Sequence, residues 1–247
     1  MVKNPRSIEE KNAKDMYIAN FVPFKYAKSI IVPSEYETKS TFALRSLRSC
    51  QYLEETKRDT AIGDAEEGEL LGNPVMVSCW TKIKNNDHVT EEDWMELHEK
   101  GGKDKFAQTD GIVIVSTVAK IRKFLSETFP IPSLEKIDEP VDYDKPIDEH
   151  KDDDYISRVV RATFAKRNRY SYQREYRFAF VLRVGCPLEK ITYYVKPEDY
   201  IDKIQFGPKM IPQKREELLF CVYGVFRNMI YPSFEEKWQK IRNSGAC

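Results

Sequence analysis

Two short apolar runs, PVMVSCWTKI at residues 74–83 and DGIVIVST at residues 110–117, most constrain what this chain can fold into. Each run is rich in β-branched residues and is flanked by turn-forming residues, which is typical of a strand buried on both faces. Helix-start signals follow both runs. Thr90 precedes the acidic segment EEDWMELHEK, and VAKIRKFLSETF carries apolar residues at helical spacing. The chain therefore combines central strands with helices that cover them.

Further strand and helix patterns follow along the chain. Helical patterns lie at residues 154–167 and 212–226, and strand patterns lie at residues 168–180, on both sides of Pro197 and at residues 229–233. An amphipathic helix is expected to begin near Ser40 or Ser49. Because the late strands must pair with strands that precede a long excursion, the sequence predicts a single α+β domain. Its mixed, mostly antiparallel split sheet should be flanked by helices.

The length and composition suit one such domain. The chain has 247 residues, of which 41% are hydrophobic, and this is enough for a packed core. We assign residues 1–40 to a polar N-terminal lead-in, residues 41–233 to the domain and residues 234–247 to a C-terminal helix or tail. No apolar stretch approaches the roughly 20 residues of a membrane span. We expect a cytoplasmic protein that contacts no membrane.

Several function classes are disfavoured by the motifs that the sequence lacks. The five cysteines are scattered and form no C-x-x-C pair, so we expect neither a disulfide framework nor a metal site. The sequence also lacks G-x-G-x-x-G, a Walker loop, G-x-S-x-G and H-E-x-x-H. These absences argue against the common nucleotide-binding, hydrolase and metalloprotease designs.

Charge is strongly segregated in the second half of the chain. Residues 135–154 contain ten acids and three lysines, and residues 158–183 contain eight bases and one acid, Glu175. The acidic block predicts a solvated loop at residues 132–155 that is mobile or shields the basic segment. The basic segment is expected to attract phosphates or to pair with the acidic block.

The segment NRYSYQREYRFAF, residues 168–180, sets this single acid among arginines. At the two-residue period of a strand, one face carries aromatic residues and the other carries Ser171, Gln173, Glu175 and Arg177. Either Glu175 pairs with arginines on an exposed strand, or Gln173 and Glu175 face a shared cleft that forms a site. The sequence leaves both alternatives open.

Five segments between about Thr41 and Ser233 occur in a recognisable order. They are FALRSLRSCQYLEE with GDAEEGE, VMVSCWT, WMELHEKGGKDKFAQTDGIVIVST, YSYQREYRF and IDKIQFGPK. In this order the chain resembles a large family of bacterial and phage proteins of unknown function, and its last two segments are the most specific. GDAEEGE, residues 63–69, stands where the commonest members have an Asn-Asp-Pro-Phe-Glu-like turn. This resemblance implies no particular chemistry.

A second resemblance supplies a chemistry. Arg45, Ser78 and the Gln173-Arg174-Glu175 segment occur in the order in which ADP-ribosyltransferases present an arginine, a Ser/Thr strand and a Q-x-E or E-x-E strand. The resemblance implies an enzyme that uses NAD as substrate. Glu175 would stabilise the ribose cation that forms as nicotinamide leaves, and Gln173 would orient the acceptor. Arg45, or Arg48 in its place, would hold phosphate, and Ser78 would support the nicotinamide side.

The expected acceptor is a macromolecule, with nucleic acid favoured over protein. Basic residues with interleaved tyrosines suit phosphate contacts and base stacking, and the candidates are Arg167, Arg169, Arg174, Tyr170 and Tyr172. Both resemblances imply a toxin or an antiviral-defence effector. A protein antitoxin or chaperone is therefore a second expected partner.

Two other functions fit the same residues. In a non-enzymatic module that binds nucleic acid or another partner, the basic segment would bind phosphate and Glu175 would only set the strand register. A metal-dependent nuclease would combine Glu175 with Asp64, Glu66, Glu67 or Asp110. The sequence shows no E-x-K after a strand in the place that such a nuclease requires, so the binding module is the stronger alternative.

Overall fold

The computed structural model of the protein describes residues 16–31, 40–46, 75–84, 87–101, 107–128, 133–144, 155–166, 168–182 and 190–222. The strands are β1 (Tyr17–Val22), β2 (Ser40–Ser46), β3 (Val75–Lys82), β4 (Ile112–Thr117), β5 (Ser133–Pro140), β6 (Glu175–Leu182), β7 (Lys190–Val195) and β8 (Lys203–Phe206). The α-helices are α1 (Phe24–Ile31), α2 (Glu91–Lys100), α3 (Val118–Thr128), α4 (Tyr155–Phe164) and α5 (Pro212–Val222). Two 3₁₀ helices span Asn168–Gln173 and Pro197–Asp199. No helix among these residues is both long and apolar enough to cross a membrane.

The described strands form one antiparallel sheet. Its order is β5-β6-β3-β1-β4-β8, and β2 pairs with both β3 and β7. The prediction of an α+β domain with a mostly antiparallel split sheet is therefore confirmed. The apolar runs at residues 74–83 and 110–117 form β3 and β4, in which all but one or two residues are buried.

The sheet splits along one edge of β3. At one end of β3, Thr81 and Lys82 pair with β1, whereas at the other end Met76 and Val77 pair with β2. The backbone of Cys79 lies between these two pairings, and its carbonyl oxygen accepts a hydrogen bond of 3.0 Å from the side-chain amide of Asn20 on β1. Asn20 thus takes the place of a missing ladder partner, because a buried carbonyl without a partner is costly.

The two faces of the sheet carry different cores. One face holds the largest apolar cluster, in which Met76, Trp80 and Phe178 pack against α1, α3 and α5. The opposite face is covered in two places: α4 packs over β3 and β6, and α2 packs over β1 and β4. The edge strand β5 is less covered than its neighbours, because Ile137 is only half-buried. This uneven covering leaves a cleft beside β5.

The structure corrects several local predictions. β1 pairs with both β3 and β4 near the middle of the sheet, so the boundary that assigned residues 1–40 to a lead-in is wrong. Residues 40–46 form a strand and not the start of a helix. The first part of the acidic block, residues 133–140, is the edge strand β5 and not a loop. The expected strand at 229–233 and tail at 234–247 lie outside the described residues.

The predicted strand at residues 168–180 is correct only in its second half. Residues 168–173 form a 3₁₀ helix, and Arg174, with a φ of 47°, turns the chain into β6. A positive φ is uncommon for a residue other than glycine. Gln173 and Glu175 therefore do not lie on one strand.

Removing the Asn20 amide should weaken the split region of the sheet. In Asn20→Ala the carbonyl of Cys79 loses its donor, and we expect the free energy of unfolding to fall by about 1–3 kcal/mol. Chemical denaturation measures this change. Thr192→Ala, at an exposed position of β7, is the control and should stay within about 0.5 kcal/mol of the wild type. Equal stabilities of the two variants would contradict the bridging role of Asn20.

Candidate functional site

Glu175 lies in a buried cluster of charges. Arg177 donates to both oxygens of this carboxylate, through Nε at 3.1 Å and Nη2 at 2.9 Å. The ammonium group of Lys166 is 3.5 Å from Oε2, and the remaining guanidinium nitrogen of Arg177 donates to the carbonyl oxygen of Thr163 at 2.6 Å. The exposed fractions are 9% for Glu175, 1% for Arg177 and 2% for Lys166. Both carboxylate oxygens are thus occupied by cations.

Local geometry explains why these groups meet. Glu175 and Arg177 are two residues apart on β6 and share its α4-facing side. Lys166 follows α4, and Thr163 lies in its last turn, so both arrive from the helix that covers this side. The sequence therefore predicted the common face of Glu175 and Arg177 correctly. One of the two alternatives placed the pairing of Glu175 with arginines on an exposed strand, whereas the structure buries the pair.

The cluster keeps Glu175 ionised. Burial by itself would raise the pKa of Glu175, but the charges of Arg177 and Lys166 and hydrogen bonds from Arg177 and Cys79 lower it to about 2. An ionised group in such surroundings is stable only while its partners remain in place. Glu175 therefore belongs to a buried ion cluster that stabilises the fold.

A cleft of about 820 Å³ opens beside the cluster. One wall is α4, and the other is formed by the end of β5 and residues 141–144. Its apolar lining includes Ile137, Val141, Ile156, Val160 and Phe164, and its polar lining includes Lys82, Glu139, Asp142, Tyr143, Asp144, Ser157, Arg161, Asn168 and Ser171. We call this space the α4–β5 cleft. It joins an apolar surface to a charged rim.

One end of the α4–β5 cleft is closed by backbone pairing. The N–H of Val141 donates to the carbonyl of Glu175 at 2.9 Å, and the N–H of Asp142 donates to that of Phe164 at 2.7 Å. The N–H of Lys166 in turn donates to the carbonyl of Asp142 at 3.0 Å. These bonds tie the segment after β5 to both β6 and the end of α4. The cleft therefore has a fixed end wall.

Tyr143 lies between the cleft and the cluster. Its hydroxyl oxygen accepts a hydrogen bond of 2.8 Å from the backbone N–H of Glu175, and its side chain lines the cleft. Burial, followed by the charge of Glu175, raises the pKa of Tyr143 above its ordinary value, so the phenol stays neutral at physiological pH. The sequence analysis missed this residue, because its contact depends on how the chain turns after β5.

The structure does not gather the candidate NAD-binding residues around Glu175. Ser78 lies opposite Phe178, on the face of the sheet that points away from α4, and accepts a hydrogen bond of 2.9 Å from Trp80. The prediction that Ser78 shares a cleft with Glu175 is wrong, because side chains alternate along a strand. Arg45 pairs with Val77 and so lies on the α4 side, but on β2, beyond β3 from Glu175. Arg48 lies outside the described residues.

Gln173 is also separated from its predicted role. It is buried in the 3₁₀ helix, with 3% of its surface exposed, and it precedes the turn at Arg174. The alternation that would have placed Gln173 and Glu175 in a shared cleft ends at that turn. The prediction of one Q-x-E strand is therefore wrong.

The predicted nucleic-acid residues are mostly engaged inside the protein. Tyr170 is fully buried beneath the cations of Lys166 and Arg169, and Tyr172 packs in the cluster around Trp94. Arg174 binds Asp93 at 2.7 Å. Arg169 is exposed, and Arg167 lies outside the described residues. Tyr170 cannot stack on a base, because its ring is covered, so the prediction for Tyr170 is wrong.

The described residues provide no metal site for the nuclease alternative. Asp64, Glu66 and Glu67 lie outside the described residues, and Asp110 binds Lys214 at 2.7 Å. Within the described part of the chain, no three histidine, cysteine, aspartate or glutamate side chains are placed to hold a metal ion.

The chain matches no protein-family model, no curated protein and no solved structure. The family resemblances of the sequence therefore stay predictions. The function must be inferred from the geometry of the site itself.

Removing the charge of Glu175 should destabilise the protein strongly. Glu175→Gln leaves Arg177 and Lys166 buried without their counter-charge, and we expect unfolding to become easier by about 3–5 kcal/mol. Glu96→Gln is the matched control. Hydrogen bonds from Lys100 and Lys84 also lower the pKa of Glu96 to about 2, yet both of these ion pairs are exposed. This substitution should cost at most about 1 kcal/mol. If urea denaturation shows a similar loss of unfolding free energy in both variants, Glu175 does not have the proposed structural role.

The same cluster predicts an acid-sensitive stability. Folding lowers the pKa of Glu175 from 4.5 to about 2. The stability that the ionised carboxylate contributes is therefore fully present at pH values above the pKa of Glu175 in the unfolded chain. That contribution should be lost as the pH falls through the folded value. Thermal unfolding between pH 5 and pH 2 should show a smaller acid-dependent decrease in Glu175→Gln than in the wild type. Parallel curves for the two proteins would exclude this linkage.

Proposed function

We propose that the protein is a binding module that takes part of a partner macromolecule into the α4–β5 cleft. The observation that carries this proposal is the cleft itself, with an apolar lining from β5 and α4 beneath a rim of both charge signs. Its volume of about 820 Å³ lies within the range of roughly 300–1,000 Å³ that is usual for ligand sites.

The position of the cleft also supports binding. Its end wall is held by backbone hydrogen bonds and adjoins the buried ion cluster, so a ligand meets a surface that is already formed. Preformed surfaces lose less conformational entropy on binding. The apolar side chains Ile137, Ile156 and Val160 are half-buried in the free protein, and a partner that covers them gains from their burial.

A protein partner fits this cleft better than a nucleic acid does. Nucleic acids bind largely through exposed cations near their phosphates, yet Lys166 and Arg177 are buried against Glu175, and Arg174 binds Asp93. Among the described residues that line the cleft, the acids Glu139, Asp142 and Asp144 outnumber the bases Lys82 and Arg161. This rim would repel a polyanion.

Filling the cleft should abolish binding. We expect a random peptide library, panned on the full chain, to yield ligands whose affinity falls at least tenfold in Ser157→Trp, because the indole occupies the space between α4 and β5. Isothermal titration calorimetry measures the affinities. Ser126→Trp, on an exposed position of α3, should bind as the wild type does. An absence of enriched peptides, or equal affinity in Ser157→Trp, would refute the proposal.

An NAD-dependent ADP-ribosyltransferase is the second candidate function, and one observation favours it. The strands that carry Arg45, Ser78 and Glu175 are consecutive neighbours in the sheet, in the order β2-β3-β6. Such a reaction would require Glu175 to exchange its contact with Arg177 for a ribose hydroxyl. The occupied carboxylate is the reason for placing this function second.

Nicotinamide release from labelled NAD separates the two functions. In the presence of mixed nucleic acids and proteins, a binding module releases no nicotinamide above the rate of NAD without protein. A transferase releases it, and Glu175→Gln lowers that rate about a hundredfold or more, measured at a temperature where circular dichroism shows both proteins folded. Release by the wild type together with this loss would reverse the order of the two candidates.

A further inference from the structure

We propose that β5 receives an extended segment of a partner protein as an added antiparallel strand, with a basic side chain opposite Glu139 and an apolar side chain opposite Ile137. This inference rests on the proposed binding function of the α4–β5 cleft. It names the partner as a peptide segment with the pattern Lys/Arg-x-apolar.

β5 is a terminal strand of the sheet. Among the described strands it pairs with β6, and the strand order ends at β5. The opposite edge of β5 borders the cleft, because Ile137, Glu139 and Pro140 line that space. A strand edge of this kind presents backbone donors and acceptors to an extended peptide.

The register shows which backbone groups point outward. The N–H of Val141 donates to the carbonyl of Glu175, and Pro140 lies opposite Tyr176. In an antiparallel ladder the hydrogen-bonded pairs alternate with non-bonded pairs, so Asp138 and Pro140 direct their backbone groups away from β6. Pro140 lacks an N–H and occupies an outward position, as proline does on edge strands. The outward N–H and carbonyl of Asp138 are therefore the main contacts for an added strand. The carbonyl already accepts a hydrogen bond of 3.2 Å from the Tyr176 hydroxyl and would use its second lone pair.

The two faces of β5 play different parts. On the face away from the cleft, Asp138 binds Arg122 at 2.6 Å and accepts a hydrogen bond of 2.8 Å from Tyr176. These contacts hold the strand in place. On the cleft face, Ile137 packs with the apolar side chains under α4, and the exposed Glu139 lies directly opposite Arg177 of β6. Ile137 and Glu139 both line the cleft, so a partner segment on this face would meet these two side chains.

The cleft face specifies the order of residues in the partner. A residue opposite Glu139 meets a wall that also carries Asp142 and Asp144, and opposite charges stabilise directly facing strand residues. A residue opposite Ile137 meets Ile156 and Val160 and should be apolar. In an antiparallel strand, the basic residue precedes the apolar one by two positions. Antiparallel pairing is assigned because the described strands of this sheet pair in that way.

A second copy of β5 fits this edge poorly. Two-fold pairing about Asp138 would set this residue directly against its own copy, and facing like charges destabilise a strand pair. The charges and Pro140 thus discourage indiscriminate pairing of this edge. They leave a short ladder that an oppositely charged segment completes.

Matched peptides and a charge reversal test the inference. Calorimetry on the full chain compares blocked, threonine-rich octapeptides with central Arg-Thr-Ile and Glu-Thr-Ile sequences. We expect the Arg peptide to bind the wild type about tenfold more tightly, and this preference to invert in Glu139→Lys. Glu127→Lys changes the net charge equally at an exposed position of α3 and should keep the wild-type preference. Equal binding of both peptides, or no inversion in Glu139→Lys, would overturn the inference.

Backbone methylation tests the added strand directly. The central threonine of the Arg-Thr-Ile peptide lies opposite Asp138, so N-methylation there should remove a ladder hydrogen bond and weaken binding at least tenfold. N-methylation of the arginine, whose N–H points away from β5, should have little effect. Similar losses at both positions would rule out the added strand.

These outcomes separate the inference from the proposed function. Peptide ligands whose affinity falls in Ser157→Trp but that show neither the charge preference nor the methylation pattern would leave the cleft as a binding site and refute pairing with β5. If neither the designed peptides nor any library peptide binds, both proposals fail. Tighter binding of a reversed Ile-Thr-Arg peptide would overturn the antiparallel assignment.

Discussion

The buried carboxylate of Glu175 connects four parts of the fold. Its charge is balanced by Arg177 on β6 and by Lys166 after α4, and Cys79 on β3 adds a hydrogen bond. The segment after β5 joins the same cluster through its backbone and Tyr143. Because an unbalanced buried charge is costly, none of these parts can move far without the others. The end wall of the α4–β5 cleft inherits its rigidity from this coupling.

The cleft forms because α4 covers β3 and β6 but does not extend fully over the edge strand β5. The apolar side chains of α4 pack over β3 and β6, which leaves Ile137 on β5 only half-buried. On the opposite face of β5, contacts from Tyr176 and α3 satisfy Asp138. One face of the edge strand is thus packed within the described chain, whereas the other lines the α4–β5 cleft. Such asymmetry is expected of a strand that binds a ligand without aggregating.

The sequence predicted best the strands that are buried on both faces and the helices that cover them. β3 and β4 follow continuous apolar runs, α2 follows a clear N-cap, and α3 has apolar residues at helical spacing. β2 was not predicted as a strand, and Ser40 was one of two expected helix starts, because the period-two pattern of Phe42 and Leu44 is short and carries Arg45 beside it. The 3₁₀ helix before β6 was mistaken for a strand, because alternating tyrosines imitate a strand while the positive φ of Arg174 leaves no sequence mark.

The candidate site shows the limit of charge patterns. One acid among several bases is equally compatible with a carboxylate that stabilises a reacting cation and with one that balances buried cations, and composition does not distinguish them. The solvent exposure of the carboxylate and the number of its contacts distinguish these two roles. Glu175 is 9% exposed and contacts Arg177 through both oxygens, so a substrate hydroxyl would have to displace a buried guanidinium. Lys166 comes from a helix end nine residues earlier in the chain, and that meeting is fixed by tertiary packing. The chemistry of this acid is therefore decided by the helix that covers it.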